Sequence, residues 1–371
     1  MNRHANVVEL LQALVRIPSV NPDGNPGIEH PGEAACAEFV ADFLRGIGAQ
    51  AEIEPVIDGR PNVVALFPGG EGKKRLYFAP HLDTVTVLGM TIDPFAAEIR
   101  EGKLWGRGAS DTKGPMAAIL WALWELRERI PALGWEIGFV GLMGEEAGQH
   151  GARHFGAHHR ADFAVIGEPT ELTVVYTHKG CNWLHLTTRG HAVHASRPEL
   201  GENAIDQMLD ALRALRTEVF PKFAEINDPV LGHPTANIGL LQGGAKINIV
   251  PDLCQASIDI RSVPQQDRPG FIAEIVEVCK KAAPGIEARW TEQRPLYTDP
   301  SHPVVEALVR AGGTPGGAPW FSDAALLAAS GIPAVAVGPG SIAQAHTKDE
   351  WIKLEDLQQG VEFYKRFLAS L

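Results

Sequence analysis

The sequence predicts an α/β domain with a mainly parallel, mixed sheet, interrupted by an inserted α+β domain. Three observations lead there. Apolar strand-like runs alternate with amphipathic helices over residues 1–176 and again over 289–371. Residues 177–288 instead show period-two alternation, as in Ala256-Ser257-Ile258-Asp259-Ile260-Arg261, the pattern of a sheet with one solvent-facing surface. A chain of 371 residues also has the length of two domains.

Taken in order, residues 6–17 place Val7, Leu10, Leu11, Leu14 and Val15 on one helical stripe. Pro18 ends that helix, and Asn21-Pro22-Asp23-Gly24 with a second Asn-Pro predicts a loop. A helix over 32–46 leads to strands at 62–67 and 75–80. A long apolar helix over 114–130 precedes a strand at 135–143, a helix at 147–157 and a strand at 162–166. The inserted segment predicts strands at 181–189, 235–241 and 253–261, with helices at 203–219 and 268–282. Helices at 302–311, 323–329 and 355–370 and a strand at 332–337 complete the chain. The Gly/Pro-rich stretch 312–319 reads as a loop.

Composition narrows the function. Apolar residues make up 45% and charged residues 21%, an ordinary globular balance that argues against disorder. A net charge of −12 disfavours nucleic-acid phosphates and anionic membrane surfaces as partners. No apolar run has the length of a membrane span, and the N-terminus lacks the pattern of a secretory signal, so no membrane role is expected. Cys36, Cys181, Cys254 and Cys279 lie far apart with no CxxC pair, as expected of reduced thiols in a cytoplasmic protein.

The informative residues stand at the carboxyl ends of predicted strands, where open α/β sheets build their sites. These are His81-Leu82-Asp83, the loop 105–114 with Asp111, Gly144-Glu145-Glu146, Gly167-Glu168-Pro169 and, after the last strand, His346. Each has an ordinary alternative by itself. The HxD and Asp111 could be turn or cap residues, Glu145-Glu146 a solvated acidic pair at a helix start, and Glu168 a turn residue. Together, two imidazoles and three carboxylates can give two divalent ions an N/O shell if one carboxylate bridges, leaving a spare carboxylate as general base. Such a pair of ions activates water and polarises a carbonyl, which is the chemistry of amide hydrolysis.

The motifs HLDTV, GRGASDTKG, GEEAG, GEPT and GPGSIAQAHTKDE resemble the co-catalytic zinc aminoacylase/carboxypeptidase family, which includes acetylornithine deacetylase and succinyl-diaminopimelate desuccinylase. The resemblance runs along nearly the whole chain. It implies a zinc-peptidase-like catalytic domain and makes the insertion a lid and dimerisation domain. It implies two Zn2+ per subunit, with Co2+ or Mn2+ as substitutes. His81, Asp111 and Glu168 would hold one zinc, and Asp111, Glu146 and His346 the other. Glu145 would be the base and Asp83 the residue that orients His81.

In the inserted domain, the match at 190–204 implies that His194 stabilises the oxyanion in the partner subunit of a homodimer, while His191 reads as a surface histidine. Asn248 and Arg261 match positions that bind the substrate carboxylate, a role suited to the guanidinium fork, although an Arg at a strand end is ordinarily solvated. Segment 338–346 resembles the deacetylase version of the family, and by that resemblance Gly340 is expected to bind substrate. Asp323 could attract a cationic substrate side chain or cap the helix at 323–329.

The expected substrate is an N-acyl-L-amino acid, best N-acetylornithine or N-acetylcitrulline. The alternative within the family is desuccinylation of succinyl-diaminopimelate, or cleavage of a dipeptide or carbamoyl amino acid by a dipeptidase or carboxypeptidase activity. A non-catalytic binding relative would lack a ligand or the base, and all are present.

Overall fold

Asn6 accepts the N–H of Glu9 and starts the helix Val7–Val15, in which all five residues of the expected stripe are buried. In this computed structural model, residues 4–23, 32–57 and 59–371 are described, so Gly24 and the second Asn-Pro of the expected loop lie outside the description. Two units are formed. Met1–Tyr176, Thr298–Gly316 and Ser322–Leu371 make the first; Thr177–Tyr297 and Gly317–Phe321 make the second.

The sheet of the first unit runs Gln50–Ile57, Arg60–Leu66, Trp135–Gly141, Lys74–Phe78, Phe163–Ile166, Ala334–Ala336, Thr173–His178. Its four central strands, from Trp135–Gly141 to Ala334–Ala336, are parallel, and the flanking pairs are antiparallel. Their carboxyl ends therefore lie along one edge. The helix Lys113–Leu126 is buried on all sides from Lys113 to Leu123, and Val7–Val15 and Leu354–Ala369 pack against it. It ends at Leu126, before residue 130, and a single 3-10 turn follows at Ile130–Ala132, where Pro131 has no N–H to continue an α-helical ladder. The helix expected from 147 begins at His150, since Gly148 and Gln149 take left-handed φ values of 88° and 45°.

The stretch 312–319 is not a loop. Thr314–Ala318 is a strand beside Thr173–His178. A Cβ at Gly316 would stand 2.8 Å from the Thr173 methyl, so a glycine there permits the close approach of the two strands. A three-stranded sheet of Trp351–Lys353, Lys103–Trp105 and Glu98–Arg100 was also not foreseen, each strand being too short to show a period.

In the second unit, four antiparallel strands run Thr235–Gly243, Leu253–Arg261, Asn182–Arg189, Glu287–Trp290. Their inner face packs on the helices Ala204–Ala214 and Phe271–Ala282 through Leu184, Leu186, Ile258, Met208, Ile272 and Ile275. This unit extends to Tyr297 rather than ending at 288, because Glu287–Trp290 pairs with residues 184–187 as an edge strand. None of the four cysteines is in a disulfide. Among the described residues, no helix is long and apolar enough to cross a membrane.

Candidate metal centre

The ladder of Lys74–Phe78 continues past its end. Leu142 N donates to Pro80 O and Leu82 N to Leu142 O, which carries His81 alongside the end of Trp135–Gly141. Glu145 and Glu146 follow that neighbouring strand, and Glu168 follows Phe163–Ile166. Asp111 precedes Lys113–Leu126 without capping it; Thr112 occupies the cap position, and the Asp111–Thr112 peptide is cis. His346 follows Ala334–Ala336 in a left-handed backbone conformation (φ 59°).

These side chains converge as two groups of possible ligands, His81 with Asp111 and Glu168, and Asp111 with Glu146 and His346. Within each group the ligand atoms lie within 4.8 Å of one another. Asp111 belongs to both. Its Oδ1 is 3.0 Å from His81 Nε2 and its Oδ2 is 3.5 Å from His346 Nε2. Glu146 Oε2 is 2.9 Å from the same His346 nitrogen. Glu146 Oε1 and Glu168 Oε1 are buried with no hydrogen-bond partner in the protein. Buried carboxylate oxygens without partners are costly, and cations would satisfy them. Two imidazoles and three carboxylates also form the mixed N/O donor set that suits zinc and related divalent ions.

Burial, reinforced by Asp111, pushes the Glu146 carboxyl up to about 7. Burial raises Glu168 well above the ordinary range, with Asp111 and Glu146 adding to it. Burial and the Glu168 charge do the same to Glu145. Burial opposes the charge on His81, yet Asp111 and Asp83 raise its imidazole well above the usual value.

The family model "Peptidase family M20/M25/M40" matches residues 77–370. The chain belongs to this family. It is a metal-dependent hydrolase of amide bonds. The M20 chain is 32% identical over 378 residues to "Acetylornithine deacetylase" of Proteus mirabilis, covering 98% of this chain and 96% of the relative. It is also 32% identical to the protein of that name from Photorhabdus laumondii, covering 94% and 92%. The fold of an M20 family metallo-carboxypeptidase from Sulfolobus solfataricus superposes with a TM-score of 0.80 at 21% identity, over 99% of both chains. A dinuclear metal-binding M20 peptidase of Bacillus subtilis gives 0.68 at 16% identity, over 98% of both.

Other expected residues of this M20 chain stand differently. Asp83 is buried beside His81, with Oδ1 3.4 Å from Nδ1. Asp323 caps nothing. Ser322 is the cap, and both oxygens of Asp323 are buried without hydrogen-bond partners in the protein. Gly340 is likewise buried, with φ 87°, and its carbonyl accepts from Glu171 N. A Cβ there would lie 2.7 Å from Ser110 Oγ, so packing beside Asp111 accounts for this glycine.

His194, Asn248 and Arg261 are in the second unit. Ser196 N donates to His194 Nδ1 at 3.1 Å, which assigns the ring proton to Nε2 in the neutral form. Asn248 O accepts from Ala195 N, so the two segments adjoin. Arg261 makes a bidentate pair with Asp259 at 2.7 and 2.9 Å, and Trp183 Nε1 also donates to Asp259. Two residues went unrecognised in the sequence. Asn21 holds Asp83 at 2.8 Å and carried no signal beyond its place in a loop. Glu350 stood in the HTKDE motif, four residues after His346, without an assigned part.

Proposed function

We propose that this protein deacetylates N-acetylornithine or a similar N-acetyl-L-amino acid, with two zinc ions held by His81, Asp111, Glu146, Glu168 and His346. The supporting observation is the Asp111 carboxylate, which presents one oxygen to each of two histidines in two ligand groups. The near full-length likeness to acetylornithine deacetylases supports the substrate.

Bound divalent ions would supply Lewis acidity toward a water molecule and the amide carbonyl. Glu145 takes a proton from the attacking water and returns it to the departing nitrogen as the C–N bond breaks, giving a free amine and a carboxylic acid; the acid's own proton then passes to the amine, leaving carboxylate and ammonium. Asp83 holds the His81 ring in position from behind. In the second unit, the Nε2–H of His194 donates to the oxyanion of the tetrahedral intermediate in the partner subunit. Asn248 and the outer nitrogen of Arg261 bind the substrate carboxylate.

The dimer forms through the second unit. The edge strand Thr235–Gly243 supports this, since it exposes Leu240 and Leu241 at 61% and 51% and leaves its outer edge free for pairing. The enzyme acts in the cytoplasm on a small soluble substrate.

A substrate panel tests the reading, using zinc-loaded protein with N-acetylornithine, N-acetylcitrulline, other acetyl amino acids, N-succinyl-diaminopimelate and dipeptides. Turnover concentrated on one acetylated amino acid and lost on chelation is expected. Turnover of succinyl substrates or peptides alone would replace the substrate and keep the chemistry.

A further inference from the structure

Glu350 is fully buried, and its carboxylate gathers donors from the loop that carries Asp111. Oε1 accepts the main-chain N–H groups of Ser110 at 2.7 Å and Asp111 at 2.9 Å. Oε2 accepts the Gly108 N–H at 3.0 Å and Arg107 Nη1 at 2.9 Å. Three main-chain N–H groups within four residues form a nest for an anion, and Glu350 fills it.

The main chain is fixed as well. Trp351 pairs with Trp105, which sets Glu350 O to accept from Gly106 N at 3.0 Å. Arg107, itself buried, reaches the segment after His346 through Thr347 O at 3.1 Å and holds Thr86 O at 3.1 Å. The loop before Asp111 and the segment after His346 are thus joined at one buried carboxylate.

We infer that Glu350 is a positioning residue of the metal centre, setting the separation of Asp111 and His346 by clamping the Gly108–Asp111 loop to the chain that follows His346. It touches neither ion nor substrate and acts through Asp111. The inference rests on the reading of Asp111 and His346 as metal ligands. Chemistry dictates the carboxylate: each oxygen faces two donors, so a glutamine in either orientation would turn its NH2 toward two N–H groups.

The test uses metal-free full-length wild type, Glu350→Gln and Glu350→Asp, titrated with Co2+ by calorimetry and visible absorption. Thermal unfolding of each metal-free protein is recorded in parallel. Glu350→Gln is expected to bind Co2+ about 10–100-fold more weakly, with an altered cobalt spectrum. Glu350→Asp, which keeps the charge, is expected to recover part of the affinity.

Leu212→Ala, a core change in the second unit, controls for general destabilisation and is expected to leave affinity unchanged. Wild-type affinity and spectrum in Glu350→Gln would overturn the inference, as would an equal loss in Leu212→Ala. If Glu350→Gln does not fold, Arg107→Lys removes the three-way guanidinium link and is expected to weaken Co2+ several-fold; unchanged binding there would also overturn it. A wild type that binds no Co2+ would instead overturn the ligand reading itself.

Discussion

Asp83 accepts the main-chain N–H of Glu145 at 3.0 Å, so the residue two places after His81 also fixes the segment bearing the proposed base. The same carboxylate accepts Glu146 N at 3.0 Å and Asn21 Nδ2 at 2.8 Å. Burial works against its charge, but His81, Asn21 and Glu146 N hold it below the usual range. An amide in its place would turn a donor toward one of these N–H groups. Asp83→Asn is therefore expected to lower kcat by about 10–100-fold and to reduce metal affinity. Steady-state kinetics and metal analysis of the purified variant measure both.

Glu145 belongs to neither ligand group. Its conversion to Gln removes the proposed proton acceptor and leaves the five proposed ligands in place. The expected result is a kcat loss of about 10²–10⁴-fold, with Co2+ affinity within a few-fold of wild type. A variant that loses its metal would make Glu145 a ligand instead of the base.

Metal binding should depend on pH with a definite sign. In the metal-free fold, burial raises Glu145, Glu146 and Glu168 above their ordinary value of 4.5, with Glu146 at about 7. Groups that hold protons more tightly when folded stabilise the fold at low pH. For Glu146 that contribution is lost as pH rises from the ordinary 4.5 through about 7. A divalent ion competes with the same protons, so its stabilising effect grows across this window. The difference in Tm between zinc-saturated and metal-free protein, measured from pH 5 to 7.5, should widen with pH. A constant difference would contradict the coupling.

Gly340→Ala separates packing from substrate contact. With φ at 87° and a Cβ set to meet Ser110 Oγ at 2.7 Å, the variant should lose about 1–3 kcal/mol of stability. Its KM should remain near wild type. A raised KM with unchanged Tm would restore the contact with substrate.

What was readable in the sequence was what local periodicity encodes. The stripe from Val7 to Val15 and the alternation of Asn182–Arg189 are burial patterns repeated along a few residues, and both reappear as buried faces. The ligand candidates were visible because strand ends in a parallel sheet fall along one edge, so positions distant in sequence could be grouped. Other features depend on partners remote in the chain. Glu350 takes its meaning from N–H groups about 240 residues away, and main-chain donors leave no mark on composition. Thr314–Ala318 is a strand because its glycines let the chain approach Thr173, a relation absent from the local Gly/Pro pattern. Asp323 suggested either a cap or a substrate contact, and neither could be judged before its burial was known.

The central claim is one hydrolytic centre in which Asp111 is shared by two ions. Its most direct test is a zinc titration of the metal-free enzyme, following N-acetylornithine hydrolysis and bound metal together. Two zinc ions per chain are predicted at saturation, with activity absent before metal is added, and Asp111→Asn should lose tight binding of both. Full activity without metal, or two ions bound unchanged in Asp111→Asn, would contradict the account.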